Sequence, residues 1–302
     1  MPYAMGIGAG AMSRIQRIGV IGCGTMGAGL AELCAGAGYD VRVVVSSAES
    51  LRRGRNRFGD NLDRAVKRGR LDESGRAAIL DRVSFTADLA DLADRHLIVE
   101  SVTESEPLKL KIFGALGSIV TEPDVILASN TSSLTVLRLA QATDRPGQVI
   151  GTHFFNPVPV MSLVELVVSP LTTPEIADRA EAFLGSGLGK EVVRTADQAG
   201  FVVNALLVPF LLAAVRMVES GHARTTDIDR AMTTGCGHPM GPLALADFTG
   251  LDTLAAVAQS LYERSGDACF KPPELLLKMV ADGHLGKKSG LGFYEHRADG
   301  NR

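Results

Sequence analysis

RIGVIGCGTMGAGLAELCAGAG, residues 17–38, is the stretch whose reading decides the fold. Residues 18–21 are apolar and β-prone, the next six are the glycine-punctuated GCGTMG, and residues 28–35 are small, apolar and compatible with a helix. Strand, tight turn and helix in that order make a GxGxxG far more specific than the bare pattern. In such a unit Gly22 makes the turn, Gly24 leaves room for a pyrophosphate, and Gly27 lets helix and strand pack closely. The pyrophosphate sits on the backbone N–H groups at the helix N-terminus. The expectation is a Rossmann-like, doubly wound α/β domain that binds a dinucleotide.

Working outward, residues 41–45 read as the second strand, an apolar run broken only by Arg42, as suits a parallel strand covered on both faces. NAD-binding units usually carry an acid near the end of this strand, about 20 residues past the turn, to hold the adenosine ribose. Val45 occupies that place, followed by Ser46 and Ser47, so NADP is admitted beside NAD. Residues 49–76 carry Arg52, Arg53, Arg55, Arg57, Arg64, Lys67, Arg68, Arg70 and Arg76 among scattered acids. They read as a long helix, a turn at Gly69 and a shorter helix, mostly a solvated face. A few of these cations suit a phosphate-bearing ligand, NADP or the nucleotide half of coenzyme A.

Further strands are expected at 83–85, 97–100, 125–128, 148–151, 163–168 and 192–194, with a helix over 104–116. Thr173-Pro174-Glu175 has the capping residue, N1 proline and first-turn acid of a helix start. Strand 125–128 runs into Ser129-Asn130-Thr131-Ser132-Ser133, a polar turn placed where open α/β sheets collect ligands. Strand 148–151 is read as leading into a loop that holds His153 and is stopped by Pro157 and Pro159. Glu165 interrupts an apolar strand, and a carboxylate there calls for a partner. From about residue 200 the pattern turns to helices alone: 201–221 with Pro209 inside, one opened by Thr226 as cap with Asp229 in the reciprocal position, one from Pro242, one over 273–281, then a glycine-punctuated tail at 287–294.

Composition narrows the function classes. A chain of 302 residues with 46% apolar and 22% charged residues has the make-up of a soluble two-domain protein. A net charge of −3 argues against nucleic acid or an anionic membrane as the main partner. Residues 1–14 lack the layout of a signal peptide and read as a flexible lead-in, and no segment reaches the about 18 continuous apolar residues of a membrane span. Cys23, Cys34, Cys236 and Cys269 show no metal-ligand spacing; they read as reduced, mostly buried thiols of a cytoplasmic protein, with no metal site.

His153 is the natural proton carrier, since histidine titrates near neutral pH. A general base must be held in orientation, and Glu165 is the candidate to accept a hydrogen bond from its far ring nitrogen, although spacing alone does not bring the two together. Ser132 and Asn204 offer hydrogen bonds to a reacting oxygen. Hydride transfer fits this inventory, because a nicotinamide carries the redox chemistry while the protein orients the partners and moves one proton.

The segments GCGTMG (22–27), SNTSSL (129–134), GTHFFNPVPVMSLVELV (151–167), AGFVVNALLVP (199–209), GHPMGPLALADFTGLD (237–252) and GKKSGLGFY (286–294) together closely resemble the 3-hydroxyacyl-CoA dehydrogenase family, in particular its short 3-hydroxybutyryl-CoA members. The resemblance spans about residues 15–296 and is carried most specifically by HFFNPVP and MGP. It implies an NAD(P)-binding domain over 1–199, an all-helical dimerisation domain over 200–302 and an active site in the cleft between them. It also implies catalytic roles for His153, Glu165, Ser132 and Asn204, with Ser132 and Asn204 touching substrate and Lys67 near the acyl-CoA. Gly22, Gly24, Thr25, Met26, Gly27, Ser46, Glu104, Lys109 and Asn130 are implied at the cofactor. The implied reaction is interconversion of a 3-hydroxyacyl-CoA, short-chain first, and its 3-oxoacyl-CoA by a homodimer. A carrier-protein-tethered acyl group and a redox-inactive NAD-binding scaffold are the alternative readings. Three positions depart from the family pattern: Val45 for the ribose-binding aspartate, Ala199-Gly200-Phe201 for the usual PGF, and Ala205 for the arginine after the asparagine.

Overall fold

A computed structural model describes residues 15–296; the expected lead-in at 1–14 lies outside the described residues. The chain divides into two compact units, one ending at Gln198 and one beginning at Ala199. The first unit is a Rossmann-like α/β domain and the second is all-helical, the fold class expected.

In chain order the first unit comprises β1 (Arg17–Ile21), α1 (Thr25–Gly36), β2 (Asp40–Val44), α2 (Ala48–Lys67), α3 (Glu73–Asp81), β3 (Val83–Thr86), β4 (Leu97–Glu100), α4 (Glu106–Ile119), β5 (Ile126–Ser129), α5 (Val136–Gln141), β6 (Val149–Phe154), β7 (Leu163–Val168), α6 (Pro174–Ala182) and β8 (Glu191–Ala196). Among the described residues these strands form an eight-stranded sheet in the order β3-β2-β1-β4-β5-β6-β7-β8. Neighbours are parallel except β6 and β7, which run antiparallel. Because β1 pairs with β2 on one side and β4 on the other, the winding reverses there. The crevice beyond the carboxyl end of β1 is thus where a doubly wound sheet binds its ligand.

The continuous apolar runs expected of covered strands are present: Ile18, Val20, Val41, Val43, Leu97, Val99, Ile126, Ala128 and Ile150 pack with Leu30, Ala31 and Cys34 of α1 and with Phe58 and Leu62 of α2 in one core. Helix α2 is opened by Ser47, whose hydroxyl accepts from the Ser50 N–H, and α6 by Thr173, which accepts from the Ile176 N–H. Two boundaries differ from expectation in a way that matters below. Strand β2 stops at Val44, one residue before Val45. Strand β6 continues through Phe154, so His153 lies inside a strand and not in the loop anticipated from the downstream prolines. Antiparallel pairing with β7 supplies the hydrogen bonds that extend it.

The second unit comprises α7 (Val203–Glu219, containing Pro209), α8 (Thr225–Cys236), α9 (Pro242–Thr249), α10 (Leu251–Ser265) and α11 (Glu274–Ala281). Its core joins Leu211, Leu212 and Val215 of α7 to Leu243 and Ala246 of α9 and Leu254, Ala258 and Leu261 of α10. The helix expected from Pro242 starts there and ends at Thr249; after Gly250, whose φ of 99° lies outside the helical region, α10 follows as a separate helix. The expected Thr226 cap is also corrected: α8 begins at Thr225 with Arg224 at the N-cap. Asp229 instead accepts from the N–H groups of Leu243 (2.8 Å) and Ala244 (2.9 Å), capping α9, and receives the Tyr294 hydroxyl at 2.9 Å. Fully buried Asp247 accepts from the N–H groups of Phe293 and Tyr294, so both carboxylates tie the C-terminal tail to the helices.

Candidate active site

The glycine turn has the geometry its sequence demands. Gly22 has φ of 95°, and a Cβ there would lie 2.6 Å from the Ser101 carbonyl oxygen. A Cβ on Gly27 would come within 2.1 Å of the Gly22 carbonyl oxygen, so turn and helix touch backbone to backbone. At Gly24 the added Cβ would meet only the Arg57 guanidinium, at 4.0 Å. Gly22 and Gly27 are therefore required by contact, whereas the space beside Gly24 is open. Helix α1 starts there with no side-chain cap and no acid in its first turn, leaving its N–H groups available to a pyrophosphate. A dinucleotide fits this cradle. A cavity lined by Arg17, Tyr39, Asp40 and Arg179, at the opposite end of β1 and β2, lies away from these groups.

The proton-handling pair forms on β6 and β7, where His153 and Glu165 are direct cross-strand partners. Their side chains meet with His153 Nδ1 2.6 Å from Glu165 Oε2. The His153 residue is 7% exposed and Glu165 0%, so the carboxylate works in a low dielectric where its pull on a positive imidazole is strong. The pairing settles what spacing left open. It sets the Nδ1–H tautomer when the ring is neutral and leaves Nε2 as the nitrogen not engaged by Glu165. The Phe155 ring packs 4.6 Å from the imidazole, centroid to centroid.

The serine turn is attached directly to this pair. Strand β5 pairs with β6 through Ser129 and Gly151, and Asn130 accepts the Phe154 N–H at Oδ1 (3.0 Å) while donating from Nδ2 to Ser101 Oγ (3.3 Å). Glu104 Oε1 accepts the Thr131 hydroxyl, the N–H groups of Ser132 (3.0 Å) and Ser133 (3.1 Å), and the Ser133 hydroxyl (3.1 Å). The helix expected from Glu104 starts only at Glu106, which frees the Glu104 side chain to hold the turn. Behind it Lys109, fully buried, places its ammonium 3.0 Å from Glu100 and 3.0 Å from Glu104, held by charge and distance without the alignment of a hydrogen bond. Burial pushes the Glu104 carboxyl up, but the Lys109 charge and the hydrogen bonds from Thr131 and Ser132 outweigh it and hold the group below the ordinary glutamate range. Glu100 is also buried and accepts from Val102 N–H (2.7 Å) and Ser129 Oγ (2.6 Å).

Of the remaining expected site residues, Ser132 is half-buried in the turn, Thr25 and Met26 open α1, Ser46 is exposed just past β2, and Lys67 is exposed at the last position of α2. Asn204, half-buried, belongs to the second unit, in the first turn of α7. Before it, Gly200 and Phe201 both have positive φ, 79° and 51°, and Ala205 N–H donates to the Gly200 carbonyl at 3.0 Å. Two supporting residues emerge from the structure, Lys190 with no sequence signal and Arg57 as one undistinguished member of the basic run at 49–76. Lys190 donates to the carbonyls of Val158 (2.8 Å) and Met161 (2.7 Å), fixing the loop after β6, and burial lowers its ammonium. Arg57 donates to the Cys23 carbonyl at 3.1 Å, placing a guanidinium at the glycine turn. Cys23 itself is inert: burial pushes its thiol up to about 11 against the opposing charge of Arg57. Cys34 is buried too, whereas Cys236 is exposed and Cys269 half-buried, so only half of the thiols are interior as expected.

Comparison with known proteins covers nearly the same span. Residues 17–198 match the 3-hydroxyacyl-CoA dehydrogenase NAD binding domain and residues 200–296 the C-terminal domain of 3-hydroxyacyl-CoA dehydrogenase. The chain is 51% identical over 282 residues to a 3-hydroxybutyryl-CoA dehydrogenase of Mycobacterium tuberculosis, covering 93% of this chain and 99% of that one. It is 38% identical over 291 residues to the mitochondrial hydroxyacyl-coenzyme A dehydrogenase of Sus scrofa, covering 94% and 92%. Among solved structures, (S)-3-hydroxybutyryl-CoA dehydrogenase from Ralstonia eutropha superposes with a TM-score of 0.87 at 40% identity, covering 94% of this chain and 99% of that one.

Proposed function

Because the chain belongs to the 3-hydroxyacyl-CoA dehydrogenase family, we propose that it interconverts a short-chain 3-hydroxyacyl-CoA, 3-hydroxybutyryl-CoA first among them, and the corresponding 3-oxoacyl-CoA. The observation that carries the reading is the 2.6 Å contact between His153 Nδ1 and buried Glu165. A nicotinamide dinucleotide supplies the hydride acceptor or donor, and the chain's own groups manage the proton.

In the oxidative direction His153 takes the proton of the 3-hydroxyl at Nε2 as the carbon loses hydride, and the ring becomes positive. Glu165 stabilises that charge through Nδ1 and keeps the ring from rotating. In the reductive direction the imidazolium returns the proton to the developing alkoxide. Ser132 and Asn204 complete the proposed set as hydrogen-bonding groups toward substrate oxygen, and Lys67 as a cation toward the acyl-CoA phosphates. Gly22, Gly24, Thr25, Met26 and Gly27 take the pyrophosphate. Glu104, Asn130 and Lys109 serve the cofactor side by shaping the serine turn; Lys109, fully buried, acts there through Glu104. The domains proposed are 1–199 for the nucleotide and 200–302 for dimerisation. Exposed Leu206, Met240, Phe248 and Leu277 on the helical unit support a homodimer. No helix of the described residues is long and apolar enough to cross a membrane, and four free cysteines support a reducing, cytoplasmic setting.

The reading is tested with acetoacetyl-CoA, a longer 3-oxoacyl-CoA and a carrier-tethered 3-oxoacyl group, each with NADH and with NADPH. Oxidation of the nicotinamide with highest kcat/KM on acetoacetyl-CoA is expected. Preference for the carrier-tethered group would reassign the substrate, and failure of every thioester would remove the dehydrogenase reading.

A further inference from the structure

His153 is the next-to-last residue of β6, and the loop that follows decides how firmly its ring is held. Strand β6 stops at Phe154, and residues 155–162 return the chain to the start of β7 at Leu163. The return folds back on itself, with the N–H groups of Val160 (2.9 Å) and Met161 (3.0 Å) both donating to the Pro157 carbonyl. Phe155 lies against the imidazole, 4.6 Å from centroid to centroid. Buried Val158 and the Pro159 ring rest on α1 at Gly29, where an added Cβ would come within 3.0 Å of Val158 Cβ and 3.5 Å of Pro159 Cδ. The Lys190 ammonium then donates to the carbonyls of Val158 (2.8 Å) and Met161 (2.7 Å). One segment leans on the proton carrier at its start and on the helix of the dinucleotide cradle in its middle, and one side chain fastens it.

Lys190 is a costly fastener. It is 9% exposed and immediately precedes β8, and its hydrogen-bond partners are two neutral carbonyls rather than a carboxylate. Burial holds its ammonium below the ordinary lysine range. The backbone keeps it at the base of the loop it grips: Lys190 N–H donates to the Leu184 carbonyl at 3.0 Å, and Glu191 N–H to the Ser162 carbonyl at 2.9 Å. An ammonium carries three donors on one atom, and a charged donor makes each bond stronger than a neutral one. Apolar packing would hold a loop in place at less cost in desolvation. Two bonds from one charged atom add something packing does not, a fixed direction for both carbonyls and so a fixed path for the backbone between them.

We propose that Lys190 is a positioning residue for the proton transfer: by fastening residues 158–161 it seats the loop on α1 at Gly29 and keeps Phe155 against His153, so that the imidazole meets the reacting hydroxyl at one angle. Lys190 acts through the loop and not on the substrate. The inference rests on the dehydrogenase reading above.

Acetoacetyl-CoA reduction with NADH by the purified full-length protein tests it. Lys190→Met removes both bonds and keeps an unbranched side chain; kcat should fall by about tenfold, with the NADH Kd and the acetoacetyl-CoA KM held within about twofold. Lys190→Arg, which keeps a charged donor, should restore most of kcat. Gly29→Ala presses on the loop from α1 with Lys190 in place and should lower kcat in the same way, so it carries the test if Lys190→Met does not fold. The double variant should be no slower than the slower single one, within about twofold. Wild-type kcat in Lys190→Met or in Gly29→Ala, a loss confined to KM or to the NADH Kd, or losses that multiply in the double variant would overturn the inference while an active wild type still upheld the dehydrogenase reading. A wild type inactive on every thioester would overturn both.

Discussion

Two fully buried glutamates sit on the same sheet and do different work. Glu165, on β7, faces the imidazole of His153; Glu100, at the end of β4, faces the ammonium of Lys109. Both carboxylates were expensive to bury, and each is compensated by an opposite or potential positive charge plus hydrogen bonds. The difference lies in the partner. An imidazole gains and loses a proton near neutral pH, so the Glu165 cluster can change its charge during a reaction. An ammonium does not, and the Glu100–Lys109–Glu104 cluster spends its bonds on backbone N–H groups and serine and threonine hydroxyls of the 129–133 turn. Buried charge alone therefore does not mark the chemistry. A buried charge paired with a group that exchanges protons does.

The contrast can be broken most forcefully on the architectural side. Lys109→Met leaves buried Glu100, and beside it the partly exposed Glu104, without their cation and should cost ~3–5 kcal/mol of stability, read as a large fall in thermal midpoint. On the chemical side the protein should stay folded and lose turnover instead. His153→Gln should reduce kcat by at least roughly 100-fold, with dinucleotide Kd retained, as single-turnover hydride transfer and fluorescence titration will show. Glu165→Gln keeps the shape but replaces a charge-assisted hydrogen bond by a neutral one, and about tenfold in kcat should follow.

The smallest expected effect sharpens the architectural half through pH. Glu104 is held below its ordinary value of 4.5, so the folded state binds its proton less readily than the unfolded chain does. Its contribution is then complete above the unfolded value and disappears as pH falls through the lower folded one. Thermal midpoints of wild type should fall more steeply below pH 4.5 than those of Glu104→Gln. Parallel curves would separate Glu104 from the stability of the turn.

How much of this was legible beforehand followed the range of the interactions. The glycine turn is local: strand, GxGxxG and small-residue helix lie within 22 consecutive residues, and the structure gives Gly22 and Gly27 each a steric reason and leaves open space beside Gly24. The polar turn at 129–133 was visible as a cluster beyond a strand end, but not its anchor, because Glu104 is 27 residues from Thr131. His153 read as loop because Pro157 and Pro159 lie just downstream; its place in β6 is decided by pairing with β7, a contact between residues 12 apart. Asp229 matched a local capping pattern, and the competing long-range bonds to α9 and Tyr294 prevailed. Lys190 reaches carbonyls 32 and 29 residues back and left no trace in periodicity or composition. The site chemistry was readable because histidine exchanges protons near neutral pH and a carboxylate inside an apolar strand calls for a partner; their support was not, because it is built from ordinary residues at long separation.

The claim that His153 and Glu165 act as one unit is tested most directly by a double-mutant cycle on kcat for acetoacetyl-CoA reduction. If Glu165 works only through the imidazole, the His153→Gln/Glu165→Gln enzyme will be no slower than His153→Gln alone, within about twofold. A further loss of about tenfold in the double variant, equal to that of Glu165→Gln in the wild-type background, would contradict the account.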